Sequence, residues 1–224
     1  MKGSRIKMDK AFRIENATRT PAGVSVVLSP LVDGDEELTL LLAEEFWKPL
    51  GYAAGTELSE DAVDELKGLE ELSRAVSRTL KILSGADHSR VQLIRKLKMH
   101  GFEGEPAERA ADYAETHGYI DENRQAAHAA EYFVRHKYWG RKRIAAELLM
   151  RGYRKSAVVH AAEMIDDDTY MASLHVMMDR KYRLASSREE REHLFASLFR
   201  LGYSLSEIKL AEKDLAEKDL ENEE

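Results

Sequence analysis

The sequence predicts a mainly α-helical protein: three tandem three-helix repeats forming an elongated, curved solenoid, behind a small β-rich N-terminal extension. Three observations predict it. A leucine, a glycine and an aromatic recur together at Leu97, Gly101 and Phe102, at Leu148, Gly152 and Tyr153, and at Leu198, Gly202 and Tyr203, with the leucines 51 and 50 residues apart. A constant period of that size marks a repeat array. Helix-start patterns recur beside it, Ser89 before Gln92, Ser187 before Glu190 and Ser204 before Glu207, each a serine three residues ahead of Gln or Glu, as in a capping box. The first seventy residues, in contrast, alternate with period two.

In that leading stretch Val24, Val26 and Leu28 are separated by small or polar residues, and Leu38-Thr39-Leu40-Leu41-Leu42 follows the turn signal Asp33-Gly34-Asp35. Two such runs around Asp-Gly predict a hairpin. Phe12 and Ile14 are the candidates for a third strand. A short helix then starts at Ser59, its cap, with Glu60 and Asp61 in the first turn, where acids complement the helix dipole.

Each repeat reads as a leading helix, a Leu-to-Gly helix and a trailing helix. The pairs Leu93/Leu97, Ile144/Leu148 and Leu194/Leu198 stand at i and i+4, on one helical face. The glycine stops the helix because it enters the left-handed conformation without steric cost. Trailing helices begin near Pro106, Ser156 and Ser204 and carry an apolar residue six places after the glycine: Ala107, Val158, Ile208. Leading helices are predicted over about 70–84, 123–138 and 168–183. The segments are 1–69 (extension and short helix), 70–118, 119–166 and 167–211 (repeats) and 212–224 (acidic tail). A short direct repeat from Leu210 extends the last helix.

With no cysteine in 224 residues, disulfides, thiolate metal sites and cysteine nucleophiles are excluded. No apolar run reaches the length of a membrane span, and the N-terminus, with Lys2, Arg5, Lys7, Asp9 and Lys10, lacks the apolar core of a signal peptide. A soluble, cytoplasmic monomer is expected. The formal net charge is −7 but unevenly spread: residues 71–200 hold 23 Lys and Arg against 19 Asp and Glu, while Glu212 to Glu224 holds seven acids and two lysines. The middle of the chain is mildly basic and its end acidic.

No catalytic or metal constellation emerges, and no cofactor is expected. The eight histidines never form His-Glu-x-x-His, and Gly101-Phe102-Glu103-Gly104 lacks the lysine and hydroxyl of a phosphate loop. Asp166-Asp167-Asp168 reads as a solvated link and helix cap. The segment that stands out is Arg135-His136-Lys137-Tyr138-Trp139-Gly140-Arg141-Lys142-Arg143, with five Lys or Arg, two aromatics and no acid. Cations interleaved with aromatics suit phosphate contact and base stacking. Arg135, Lys137, Arg141, Lys142 and Arg143 are the candidate electrostatic contacts and Tyr138 and Trp139 the candidate stackers; Arg95, Lys96, Lys98 and Arg151 are candidates to extend the surface. The alternative is a solvated helix end whose cations face the dipole, with Trp139 packed in the core.

The run Gly118-Tyr119-Ile120-Asp121-Glu122, then Tyr132-Phe133-Val134-Arg135, then Gly140-Arg141-Lys142-Arg143-Ile144 with Glu147-Leu148 and Gly152-Tyr153, resembles the central signature of the RecX family, bacterial modulators of the RecA recombinase. The likeness covers about residues 10–208, and Gly55 through Asp61 resembles an N-terminal extension found in some members. The resemblance implies a non-enzymatic regulator in homologous recombination, DNA repair and the SOS response. Such a regulator binds the RecA filament, and DNA alone more weakly, and restrains ATP turnover and strand exchange. The competing reading is a stand-alone helical DNA-binding protein.

Overall fold

The computed structural model describes residues 10–31, 36–182 and 187–221. The Asp33-Gly34-Asp35 turn, the basic N-terminus, the end of the third leading helix and the last residues of the acidic tail lie outside them. The chain forms two compact units, residues 1–86 with 93–119, and 87–92 with 120–224.

In the first unit, β1 (Lys10–Thr20), β2 (Gly23–Pro30), β3 (Leu38–Leu42) and β4 (Glu57–Ser59) form an antiparallel sheet of order β3-β2-β1-β4. The expected pairing of the two β-rich runs is present, Val24 opposite Leu42 and Val26 opposite Leu40. The strand containing Phe12 and Ile14 lies between β2 and β4. Because side chains alternate across a strand, Ile14, Val24, Val26, Leu28, Leu40 and Leu42 fall on one buried face, covered by Val63 and Leu66 of α2.

The helix capped by Ser59, which accepts from the Ala62 N–H, does not end near residue 69. It runs unbroken as α2 (Glu60–Leu83), following a short α1 (Glu44–Trp47). The sequence divides this stretch into a short helix and a leading helix starting near 70. The structure corrects that division, because the same helix covers the sheet with its first half and its own repeat with its second. α3 (Arg90–Met99) and α4 (Glu105–Thr116) complete the triplet. Ala107, Ala110, Ala111 and Ala114 form a fully buried stripe on α4, and methyl side chains permit close helix approach.

The second unit holds α5 (Glu122–Lys137), α6 (Arg141–Met150) and α7 (Lys155–Glu163), then α8 (Asp167–Tyr182), α9 (Arg188–Arg200) and α10 (Leu205–Glu221). The fold is thus mainly helical, three successive three-helix repeats behind a small sheet. Each repeat ends its second helix identically. Gly101, Gly152 and Gly202 have φ of 86°, 79° and 97°. The N–H groups of Phe102, Tyr153 and Tyr203 return to the carbonyls of Leu97, Leu148 and Leu198 at 3.1, 3.1 and 3.3 Å. This is the six-to-one closure of a Schellman cap, and the three leucines are buried. The capping serines also bond as expected, Ser89 with Gln92, Ser187 with Glu190 and Ser204 with Glu207.

Candidate functional site

The basic segment forms the turn from α5 to α6. Arg135, His136 and Lys137 fill the last turn of α5 and are exposed. Tyr138 follows in the left-handed region at φ 55°, a conformation that costs a non-glycine residue of order 1–3 kcal/mol. Two contacts hold it there: the Tyr203 hydroxyl donates to its carbonyl at 3.2 Å, and the Arg180 guanidinium lies 5.8 Å from its ring. Gly140 then caps α6, its N–H donating to the Leu201 carbonyl at 2.8 Å. The turn is therefore seated on the glycine cap that ends α9.

That seat decides what each cation does. Arg141 is half-buried, bonds the Asp167 carboxylate and stacks 4.1 Å over the Tyr170 ring. Arg143 lies 4.3 Å over Trp139 and donates to the Arg200 carbonyl at 3.2 Å. Arg151 bonds Glu147 at 2.8 Å and covers Phe133 at 4.8 Å. Arg135 pairs with Glu131 at 3.0 Å. Lys142 and Lys137 are exposed, their ammonium groups 5.8 Å from the Phe199 ring and 6.0 Å from the Tyr132 ring, without an ion pair among the described residues. Arg95, Lys96 and Lys98 are exposed on α3 and belong to the first unit. Trp139 is half-buried, stacked 4.7 Å from Phe133 and roofed by Arg143. These contacts pack Trp139 against the core of the second unit, as in the alternative reading of the segment; Tyr138 is tied at its backbone.

Sequence reasoning missed Asp167, Tyr170, Phe199, Arg200 and Tyr203, the partners from the third repeat. They lie 26 to 65 residues from the groups they hold, and no local pattern announces them. Burial pushes the Tyr203 and Tyr170 phenols up. Asp166 caps α8 by accepting from the Thr169 N–H at 2.6 Å, and hydrogen bonding to Thr169 holds its carboxyl below the ordinary value. Next to it, Asp167 is the counter-ion of Arg141. The acidic run is thus half cap and half ion pair.

Among the described residues no group of three His, Asp or Glu side chains is placed to hold a metal ion, and no helix is long and apolar enough to cross a membrane. Successive three-helix repeats that seat one another's turns and leave lysines displayed at the joints define the class, a helical-repeat protein. No protein-family model matches the chain. It is 32% identical to the regulatory protein RecX of Pseudomonas fluorescens over 137 residues, 60% of this chain and 87% of that protein. It is also 32% identical to the RecX of Pseudomonas savastanoi over 119 residues, 53% and 76% of the two, and 22% identical to that of Clostridioides difficile over 158 residues, 70% and 74%. A crystal structure of a regulatory protein RecX shares the fold, with a TM-score of 0.76 at 20% identity over 90% of this chain and 99% of that one. The RecX of Lactobacillus salivarius matches with a TM-score of 0.61 at 17% identity, covering 66% and 97%. The chain belongs to the RecX family of regulatory proteins.

Proposed function

We propose that this protein restrains a RecA-type recombinase by binding its filament on DNA, lowering ATP turnover and strand exchange without catalysing a reaction itself, in the cytoplasm. Membership of a family of regulatory proteins supports the reading most directly. Lys137 and Lys142 are the candidate contacts of the second unit, and Arg95, Lys96 and Lys98 are separate candidates in the first. These meet DNA phosphates or acidic filament surface, while Arg141, Arg143 and Arg151 shape the turn that presents Lys137 and Lys142. Released counterions favour such contacts and make them salt-dependent. The test measures recombinase ATP hydrolysis on single-stranded DNA with and without the protein, beside co-sedimentation with filaments and with naked DNA. Slower turnover and filament-dependent sedimentation support the proposal. Unchanged turnover with equal binding to naked DNA favours a stand-alone DNA-binding protein instead.

A further inference from the structure

We propose that the first unit carries a docking cleft for an acidic, aliphatic-rich peptide segment of a partner protein, formed by the cationic face of α2 beneath the β3 edge. The cleft has a volume of about 680 Å³. Arg74, Arg78 and Lys81 line it, spaced i, i+4 and i+7 along α2 and hence on one helical face. Like charges so spaced repel one another. None of the three makes an ion pair with a carboxylate among the described residues, whereas Arg13, Arg19, Lys67 and Arg109 of the same unit pair with Glu57, Glu44, Asp64 and Glu105. Arg78 is the sharpest case. It is half-buried, its guanidinium meets only the His100 imidazole, Nη2 lying 2.5 Å from Nε2 and 2.9 Å from Nδ1, and its Nε is buried without an acceptor. A guanidinium withdrawn from water is expected to have an anion beside it. The carboxylate lining the cleft, Glu45, is engaged by the Tyr113 hydroxyl at 2.8 Å.

The remaining lining selects the kind of anion. Leu41, Val76, Leu80 and Phe102 supply an apolar floor, with Leu41 39% exposed. Phe102 is buried, so the floor offers no open ring on which a base could stack. An added β-strand is also disfavoured, because the edge donors are taken: the Leu41 N–H bonds Glu70 at 2.8 Å and the Ala43 N–H bonds Ser73 at 2.9 Å. The occupant therefore enters by its side chains, carboxylates toward the cationic stripe and aliphatic groups toward the floor. This site lies in the first unit and does not depend on the recombinase reading.

The test uses the full chain and a short fluorescein-labelled peptide of alternating glutamate and leucine, followed by anisotropy. A glutamate–serine peptide and a thymidine oligonucleotide are the comparators. Arg74→Glu with Lys81→Glu reverses two exposed charges and is expected to weaken glutamate–leucine binding at least tenfold with an unchanged melting midpoint. Lys142→Glu, in the second unit, is expected to leave that binding as it was. If the reversal lowers the melting midpoint, Arg74→Gln with Lys81→Gln provides the same comparison. Equal affinity of wild type and variant for the peptide overturns the proposal. So does equal binding of the glutamate–serine peptide, or oligonucleotide binding that the variant loses while wild type ignores the peptide.

Discussion

Gly140 and Gly202 meet backbone to backbone: a Cβ on Gly140 would stand 2.6 Å from the carbonyl carbon and oxygen of Gly202, and one on Gly202 would stand 2.9 Å from the Gly140 oxygen. The same joint is built one repeat earlier, where the Ser89 hydroxyl donates to the Arg151 carbonyl at 2.7 Å and a Cβ on Gly152 would stand 2.8 Å from Val91 Cβ. In both cases the start of a second helix sits on the glycine cap of the following repeat. A cap glycine here does two jobs, ending its own helix and leaving room for a neighbour.

These two jobs separate by mutation. Gly101 has φ 86° and open space around its missing Cβ, so Gly101→Ala carries backbone strain alone, about 1–2 kcal/mol. Gly140 has an ordinary φ of −80° but no room, so Gly140→Ala carries overpacking alone, about 1–3 kcal/mol. Gly202→Ala carries both and is expected to destabilise more than either. Urea midpoints for the three variants decide the matter. A Gly202→Ala loss no larger than that of Gly101→Ala would remove the joint from the explanation.

Glu122 is a second long-range tie. Its side chain is 5% exposed, and its two oxygens accept from the N–H groups of Arg90 at 3.0 Å and Arg154 at 2.9 Å. Both donors stand at helix starts, where backbone N–H groups lack intrahelical partners. Glu122→Ala is expected to cost roughly 1–3 kcal/mol, since two part-buried helix-start donors lose a charged acceptor. Glu122→Gln, which keeps one acceptor oxygen, should cost less. Thermal unfolding of the pair reads this directly, and equal losses would point to side-chain packing instead.

The candidate surface predicts a salt signature. Lys137→Glu with Lys142→Glu should leave the melting midpoint near wild type, because neither lysine makes an ion pair among the described residues and both are exposed. If both touch phosphates, the slope of log affinity against log salt for filament binding should become shallower by about two units. Arg141 and Arg143 are unsuitable for this test. Their Asp167, Tyr170, Trp139 and Arg200 contacts mean that reversing them would disturb the joint as well as the surface. Retention of the full wild-type slope in the lysine variant would show that neither lysine meets DNA.

Tyr113 sets an alkaline limit in the first unit. Burial, reinforced by the hydrogen bond to Glu45, pushes its phenol from 10.0 up to about 12. A folded pKa above the unfolded one favours the neutral phenol in the native state. Its contribution is therefore complete below about pH 10 and is lost as pH rises through about 12. Tyr113→Phe should be less stable than wild type at neutral pH by about 0.5–1.5 kcal/mol, and the gap should close between those two pH values. Melting midpoints across that range test it; a gap that stays constant with pH would dismiss the phenol.

What the sequence by itself determined were the short-range regularities. The leucine four residues before each glycine, the glycine's left-handed cap and the serine–Gln/Glu boxes act within one or two helical turns, so Leu97, Leu148 and Leu198 with their followers announce the repeats directly. Alternation similarly announced the strands, which obey a period of two. Only the tertiary structure decided which of the many cations remain available. Arg141 and Lys142 are adjacent and chemically alike in sequence, yet one faces Asp167 and Tyr170 and the other faces solvent. Likewise nothing near Arg78 in the chain signals that its Nε is buried without an acceptor. The reason is physical: a helix repeats every 3.6 residues and fixes its own caps locally, whereas the environment of a side chain depends on elements brought beside it from tens of residues away.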